Sequence, residues 1–531
     1  MRRAPWREAL AQGYGREEPE KAAQILRGIV TGVPIDYTGD RSINRTCKNL
    51  RSATENDSEE KVSAIIAADV AAGKKAGPFD SQPFPFFSSS PIGAVPKKNG
   101  KIRVIHHLSY PFGGDSINAE TIDEYQELGR FDDASNAIRA MGPGCLLIKL
   151  DVEAAYKQVP VRREDWPLLG FMWQGKWYYE RTLPFGLKSS CRLWELYATA
   201  LHHFFVHIIG IDHVVHYIDD FLFVVAVGPS AQEQLTAALA LCSRLGVPMS
   251  NEKLEGPCTM LTFLGIELDT VLMIARLSAE RLKELQLLLL SWVRKRVATV
   301  KELQSLTGIL NFACTVVRPG RAFLRRIIDH TTRINSGSTR CRAMQIPDTV
   351  LRDIEWWIRF GSEFNGIGLL YEIEWTHQVE LFTDACNIGF GAVYGNRFIY
   401  GPWSRQQRDE AARAKRMSMP FLELYALTLA VATWGHLWRG KKIMLRSDCE
   451  GAVCAINSRS SKNEPMSALV RHLMTMAARG QFDLRCRHIP GIDNVAADAL
   501  SRQNLHDFRV VCPGALNQAD PSPVVPPIST M

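Results

Sequence analysis

No stretch of the 531 residues approaches the roughly 20 consecutive apolar residues that a membrane-spanning helix needs. No CxxC pair occurs among the 12 cysteines, so a structural zinc site or a disulfide framework is not expected. Thiols scattered from Cys47 to Cys512 suit a reducing compartment, and an intracellular protein is expected. The opening Met1-Arg2-Arg3-Ala4-Pro5-Trp6 lacks the apolar core of a secretory signal. No internal repeat is visible. Neither charge sign dominates, and a hydrophobic share of 46% excludes a wholly disordered chain. The length allows about three or four domains.

Against the modest net charge of +7, residues 280–342 hold 13 Lys/Arg and only 4 Asp/Glu. A basic stripe of this kind suits either a polyanion such as nucleic acid or a solvated helical face.

Residues 1–55 are polar and weakly patterned. Asp57 or Ser58 can cap a helix carrying Val62, Ile65, Ile66 and Val70. After a Pro/Phe/Ser-rich loop, apolar runs flank Asn99-Gly100, a strong hairpin signal. Strands are predicted at 146–150, 214–218, 221–225 and 263–268, with a helix at 193–209. This mixture implies an α+β core with an antiparallel centre. From 277 to about 328 the period becomes helical. Ser278 can cap a helix, Thr299 and Glu302 have capping-box spacing, and Arg318, Arg321 and Arg325 recur at the spacing of one helix face. Strands at 379–383, 389–394, 397–400, 442–447 and 484–488, with helices at 421–437, 464–479 and 494–501, form a further unit. A Pro-rich end follows, expected to be disordered.

Asp219 and Asp220 separate two packed strand sequences, and Asp151 ends another. If those strands are neighbours, three carboxylates converge on hard divalent cations. Two such ions stabilise both the attacking and the leaving oxygen of a phosphoryl transfer. Leu150-Asp151-Val152-Glu153-Ala154-Ala155-Tyr156, Leu183-Pro184-Phe185-Gly186-Leu187 and Tyr217-Ile218-Asp219-Asp220 resemble three successive motifs of reverse transcriptases, in order and in spacing. Phe263-Leu264-Gly265 resembles the primer-grip segment that follows. The resemblance implies that Asp151, Asp219 and Asp220 hold metal. It implies that Tyr156 is the gate that collides with a ribose 2′-OH, that Phe185 helps bind substrate, and that Gly186 lets backbone approach the templating pair. Lys97, Lys98 and Arg103 match the hairpin that grips the triphosphate, and Lys253 matches a lysine that protonates pyrophosphate. By residue type alone, a core aromatic and turn or surface lysines would fit the same positions. The basic helices, with Arg294, Lys295, Arg296, Arg318, Arg321 and Arg325, would be the thumb that grips nucleic acid.

Glu423 is the one charged residue between Phe421 and Gly435, and such a carboxylate is costly unless paired or bound to metal. Asp384 and Asp448 end two strands, and Asp498 follows His488 by ten residues. This order of Asp, Glu, Asp, Asp is similar to ribonuclease H, through Phe382-Thr383-Asp384, Glu423-Leu424-Tyr425-Ala426-Leu427, Arg446-Ser447-Asp448 and His488-Ile489-Pro490-Gly491 on to Ala497-Asp498-Ala499-Leu500-Ser501-Arg502. The resemblance implies that these four acids hold metal. It places His488 on a mobile loop, where it eases product release or proton transfer.

The implied fold class is α+β and α/β: a right-hand polymerase followed by a ribonuclease H-like domain with a mixed five-stranded sheet. The implied layout is an N-terminal extension (1–55), fingers and palm (56–275), thumb (276–342), connector (343–376), ribonuclease H-like domain (377–503) and disordered tail (504–531). Gly77-Pro78-Phe79-Asp80, Ser90-Pro91-Ile92-Gly93, His106-His107-Leu108-Ser109-Tyr110-Pro111 and Leu187-Lys188-Ser189-Ser190 resemble DIRS-type retrotransposons more than gypsy-type elements. The implied activity is RNA-directed DNA polymerase with ribonuclease H. The cofactor is Mg²⁺, with Mn²⁺ as the alternative, two ions per site. The partners are RNA template, DNA primer, RNA–DNA hybrid, dNTPs and a separately encoded recombinase, with no membrane. The rival is a decayed or domesticated copy that binds nucleic acid without catalysis.

Overall fold

The computed structural model describes residues 1–55, 57–97, 100–122, 124–335, 343–360, 376–439 and 441–525. It forms two compact units, residues 1–263 and 264–531.

The first unit is built on a four-stranded antiparallel sheet in the order Glu255–Cys258, Leu146–Asp151, Asp220–Val225, His213–Tyr217. The central strand Asp220–Val225 is buried along nearly its whole length, which explains its unbroken apolar sequence. Helix Ser190–His207 covers the sheet because Leu193, Trp194, Tyr197, Leu201, Phe204 and Phe205 fall on one stripe and are all buried. The predicted hairpin is present as Ile92–Pro96 paired with Ile102–His106; Lys98 and Asn99, in its turn, lie outside the described residues.

The first 55 residues depart from the expected polar extension. Helices Arg3–Ala11 and Pro19–Thr31 bury Trp6, Leu10 and Ile25 in the main core of this unit. The Trp6 indole donates to the Leu245 carbonyl at 3.1 Å, and Ile35 N–H donates to Asp165 Oδ2 at 2.9 Å. A few large anchors spaced among charged residues hold this segment, so its average polarity misleads.

In the second unit the Ser278 hydroxyl caps helix Ala279–Val293, and a full Thr299/Glu302 capping box starts Val300–Ala313. Arg318, Arg321 and Arg325 do not share one helix face. Arg318–Phe323 is a 3-10 turn and a separate helix, Arg325–Asn335, follows it. Pro319 removes an N–H, and Gly320 admits Trp357, whose ring would lie 2.2 Å from a β-carbon there. The expected strand at 263–268 is likewise broken at Leu264 and Gly265, both with positive φ. Of the expected connector, strand Met344–Gln345 and helix Asp348–Phe360 are seen, and 361–375 lie outside the described residues.

A five-stranded mixed sheet follows, in the order Arg397–Pro402, Gly389–Tyr394, Thr376–Ala385, Lys442–Ser447, Asp483–His488. The first three strands run antiparallel and the last two join parallel. Helices Ser418–Trp434 and Glu464–Gly480 pack with it. The stretch Lys415–Leu437 is long and apolar enough to cross a membrane by length and composition alone, but 67% of its apolar window is buried in the fold. The expected disordered tail is packed on the fold over its described residues, 504–525. Helix Leu505–Val511 buries Phe508 against Phe398, and Asp520 pairs with Arg397 at 2.7 Å and with the Trp434 indole at 2.7 Å.

Two candidate carboxylate sites

Asp151 and Asp220 face each other in register on adjacent antiparallel strands. Asp219 is carried by the tight turn between strands. Ile218 in that turn has φ +57, a strained value for a β-branched residue. Two bonds hold the turn: Trp194 Nε1 donates to Ile218 O at 2.8 Å, and Val152 N–H donates to Asp219 O at 2.9 Å. Trp194 had no expected role, since an aromatic on an apolar helix stripe reads as core. Oxygens of Asp151, Asp219 and Asp220 lie within 4.8 Å of one another. Burial, then the neighbouring Asp151 charge, raises the Asp219 carboxyl. Burial, followed by Asp219 and Asp151, pushes Asp220 up to about 6.

Lys253 places its ammonium 2.5 Å from Asp151 Oδ2. Burial works against that charge, yet the bond to Asp151 and the other two acids hold it above the ordinary lysine range. Tyr156 packs on Phe185 with ring centres 5.2 Å apart, and the Arg103 guanidinium sits over the other ring at 4.7 Å. Burial, then Arg103 and Lys253, lowers Lys97. Lys98 lies outside the described residues. Gly186 has φ +111, and a β-carbon there would meet the His106 carbonyl at 2.0 Å. The fold itself therefore demands this glycine, apart from any approach to a templating pair.

The second cluster joins Asp384 on the central strand, Asp448 just after the parallel strand beside it, and Glu423 from helix Ser418–Trp434. Their oxygens also lie within 4.8 Å. Burial first, then Asp384 and Asp448, pushes Glu423 up to about 9. Its buried Oε2 has no hydrogen-bond partner among the described residues. Burial raises Asp384 to about 6, against a 2.5 Å bond from the Ser501 hydroxyl. Ser501 is a further site residue, visible in sequence only as the residue one turn beyond Asp498. Asp498 is outside the three-acid group and binds Arg502 Nε at 2.8 Å. His488 stands at the end of a strand, not on a loop, with Nε2 3.1 Å from Asp448 O.

The basic candidates divide. Arg294 and Arg296 are exposed. Lys295 pairs with Glu302 at 2.5 Å, Arg318 with Asp483 at 3.6 Å and Arg325 with Asp329 at 2.6 Å, while Arg321 reaches Asn311 at 3.5 Å. Pro319 and the 3-10 turn point the last three in different directions, which is why they turn to partners within the chain.

Both clusters fit divalent cations. Each gathers three hard oxygen donors of the kind such ions take, burial raises Asp219, Asp220, Asp384 and Glu423, and Glu423 Oε2 accepts no hydrogen bond among the described residues. Residues 95–268 match the family model described as reverse transcriptase (RNA-dependent DNA polymerase), a span that contains the first cluster and Lys253. This segment is a reverse transcriptase domain of the retroelement and retroviral type. The chain is also similar to the enzymatic polyprotein of Carnation etched ring virus, 21% identical over 426 residues, covering 78% of this chain and 58% of the relative. Over 247 residues it is 26% identical to the Gag-Pro-Pol polyprotein of Human T-cell leukemia virus 2, covering 43% of this chain and 16% of the relative. The chain therefore spans little more than half of the first relative and less of the other. Among solved structures, a foamy viral protease-reverse transcriptase in complex with double-stranded DNA aligns with a TM-score of 0.50 at 15% identity, covering 86% of this chain and 74% of that one. The reverse transcriptase fold, with α+β and α/β parts and a mixed multi-stranded sheet, is the one expected from the residues.

Proposed function

We propose that the chain is an RNA-directed DNA polymerase with a second, ribonuclease H site, from a DIRS-type retroelement. The observation that carries the reading is the facing of Asp151 and Asp220 across one ladder, with Asp219 in the strained turn beside them. Divalent ions held by Asp151, Asp219 and Asp220, and by Asp384, Glu423 and Asp448 with Asp498 nearby, would stabilise charge on the attacking and leaving oxygens. The chain's own groups do the rest. Arg103, braced on Phe185, orients the incoming triphosphate, with Lys97 and Lys98 in support. Tyr156 excludes a 2′-OH. Lys253 keeps a proton at Nζ for the departing pyrophosphate. At the second site Ser501 orients Asp384, and His488 moves a proton or product. Arg294 and Arg296 grip backbone phosphates, and the proposed layout is fingers and palm over 56–275, thumb over 276–342, connector over 343–376 and ribonuclease H-like domain over 377–503, with the helices of 1–55 packed on the core of the first unit. The substrates are RNA template, DNA primer, dNTPs and RNA–DNA hybrid, read by shape and 2′-OH; integration falls to a separate recombinase.

The test is primer extension on poly(rA)/oligo(dT) with Mg²⁺ for the wild type and Asp219→Asn. Extension that Asp219→Asn abolishes supports the reading, and a wild type without extension overturns it. Hybrid cleavage that survives Asp448→Asn overturns the second site.

A further inference from the structure

Tyr156 is the second residue of a 3-10 turn, Ala155–Gln158, that starts from a left-handed residue. Ala154 has φ +48 and ψ +51, a conformation disfavoured for any residue with a β-carbon. Such a conformation persists only where its surroundings hold it. The next side chain after Tyr156 supplies a hold. Lys157 is 9% exposed, and its ammonium lies 2.6 Å from Glu180 Oε2 and 3.7 Å from Asp69 Oδ2. Glu180, 4% exposed, ends strand Lys176–Glu180 and takes Lys75 on its other oxygen at 2.5 Å. Lys75 reaches Asp69 at 3.2 Å. Two ammonium groups and two carboxylates thus gather beneath the turn, with only Asp69 partly exposed, drawn from helix Ser58–Ala71, strand Lys75–Phe79, strand Lys176–Glu180 and the turn itself.

A buried ion cluster is a poor way to gain stability, since apolar side chains of like volume serve as well or better. What it supplies is fixed geometry. Each ammonium bond constrains position and direction, and the constraint on Lys157 passes to its neighbour through one peptide unit. The Tyr156 ring lies 5.2 Å from Phe185, its carbonyl accepts from Val159 N–H at 3.1 Å, and Lys157 N–H donates to Ala154 O at 2.8 Å, so the ion cluster adds a side-chain hold to a turn already closed by its backbone.

We propose that Lys157 and Glu180 are positioning residues for Tyr156, and that their bond sets how strictly the nucleotide slot rejects a ribose. This inference rests on Tyr156 being the sugar gate. Neither residue touches the nucleotide. Lys75 shares the carboxylate but not the turn, so it serves as the control.

The experiment measures kcat and KM for a dNTP and the matching rNTP, with thermal unfolding of each variant alongside. Lys157→Met is expected to lower the dNTP preference about tenfold, chiefly through a lower KM for the rNTP, because small displacements of a positioning group have large kinetic effects. Lys157→Arg is expected to restore most of the preference. Lys75→Met is expected to lower the melting temperature while leaving the preference unchanged. If Tyr156→Ala collapses the preference and Lys157→Met leaves it within about twofold of wild type, the positioning claim falls and the gate stands. If Lys75→Met shifts the preference as far as Lys157→Met, general loosening explains both and the claim falls. If Tyr156→Ala leaves the preference intact, the gate reading falls and takes the claim with it.

Discussion

Asp151 in the first carboxylate cluster has an ammonium 2.5 Å away, whereas Glu423, the most perturbed acid of the second, has a buried oxygen with no hydrogen-bond partner among the described residues. The two clusters are alike in size and donor chemistry, yet they store repulsion differently. In the first, Lys253 offsets part of it, and the strained turn is tied down by Trp194. In the second, the Ser501 hydroxyl supports Asp384 and the Ala385 N–H supports Glu423, whose carboxyl is still pushed up to about 9 by burial and the two neighbouring acids. The first cluster is thus closer to self-supporting, and the second leans more on a bound cation.

The largest expected effects test whether the clusters work independently. Asp219→Asn should abolish extension and spare hybrid cleavage, and Asp448→Asn should do the reverse. Several kcal/mol of charge stabilisation corresponds to about a thousandfold or more in each lost rate. A variant that silences both activities would break the comparison.

Next in size is acid sensitivity in the first unit. Burial lowers His106 and, with His216, His202, each to about 4. Both are neutral in the folded chain and free to protonate near 6.5 once unfolded. Their stabilisation is therefore complete above pH 6.5 and lost as pH falls from 6.5 through 4. Each difference corresponds to on the order of 3 kcal/mol. Denaturant melts across this range should show the loss, and His106→Asn should remove about half of it, leaving the His202 share.

Ion binding gives a smaller and more pointed contrast. Mg²⁺ at a hundredfold excess over its dissociation constant should stabilise the fold by about 2.7 kcal/mol, and Glu423→Gln should remove most of the second cluster's share in a thermal titration. Lys253→Met should act in the opposite sense, tightening the ion at the first cluster about two- to fivefold because a competing, half-exposed charge is gone. Equal responses from the two variants would erase the distinction drawn above.

Smallest of all, Arg294→Ala should weaken binding of an RNA–DNA hybrid evenly across sequences and reduce the salt slope by about 1. Arg318→Ala, whose partner is Asp483, should shift the melting temperature more than the slope.

Much of this was legible in the residues for identifiable reasons. Apolar strands around Asp219-Asp220 could only be a hairpin. Thr299 and Glu302 matched a local hydrogen-bond pattern that needs no tertiary context. A lone Glu423 on an apolar helix implied partners, and Asp384 and Asp448 are there. The failures share a cause, since each depended on contacts distant in sequence. Trp6 matters through Leu245, and Phe508 through Phe398. The regular arginine spacing at 318, 321 and 325 lost its meaning because Pro319 and Gly320 interrupt the helix that would have used it.

The segment ending at Asp520 has one more consequence. Leu516 N–H donates to Asn396 O at 2.8 Å, and Asp520 N–H donates to Phe398 O at 2.9 Å, along the outermost strand of the five-stranded sheet. These bonds occupy peptide groups that would otherwise stand open as a template for another chain. A protease cutting just beyond Gln503 would therefore do more than remove a few contacts: once the cut segment is released, it would uncover an adhesive rim able to seed aggregation.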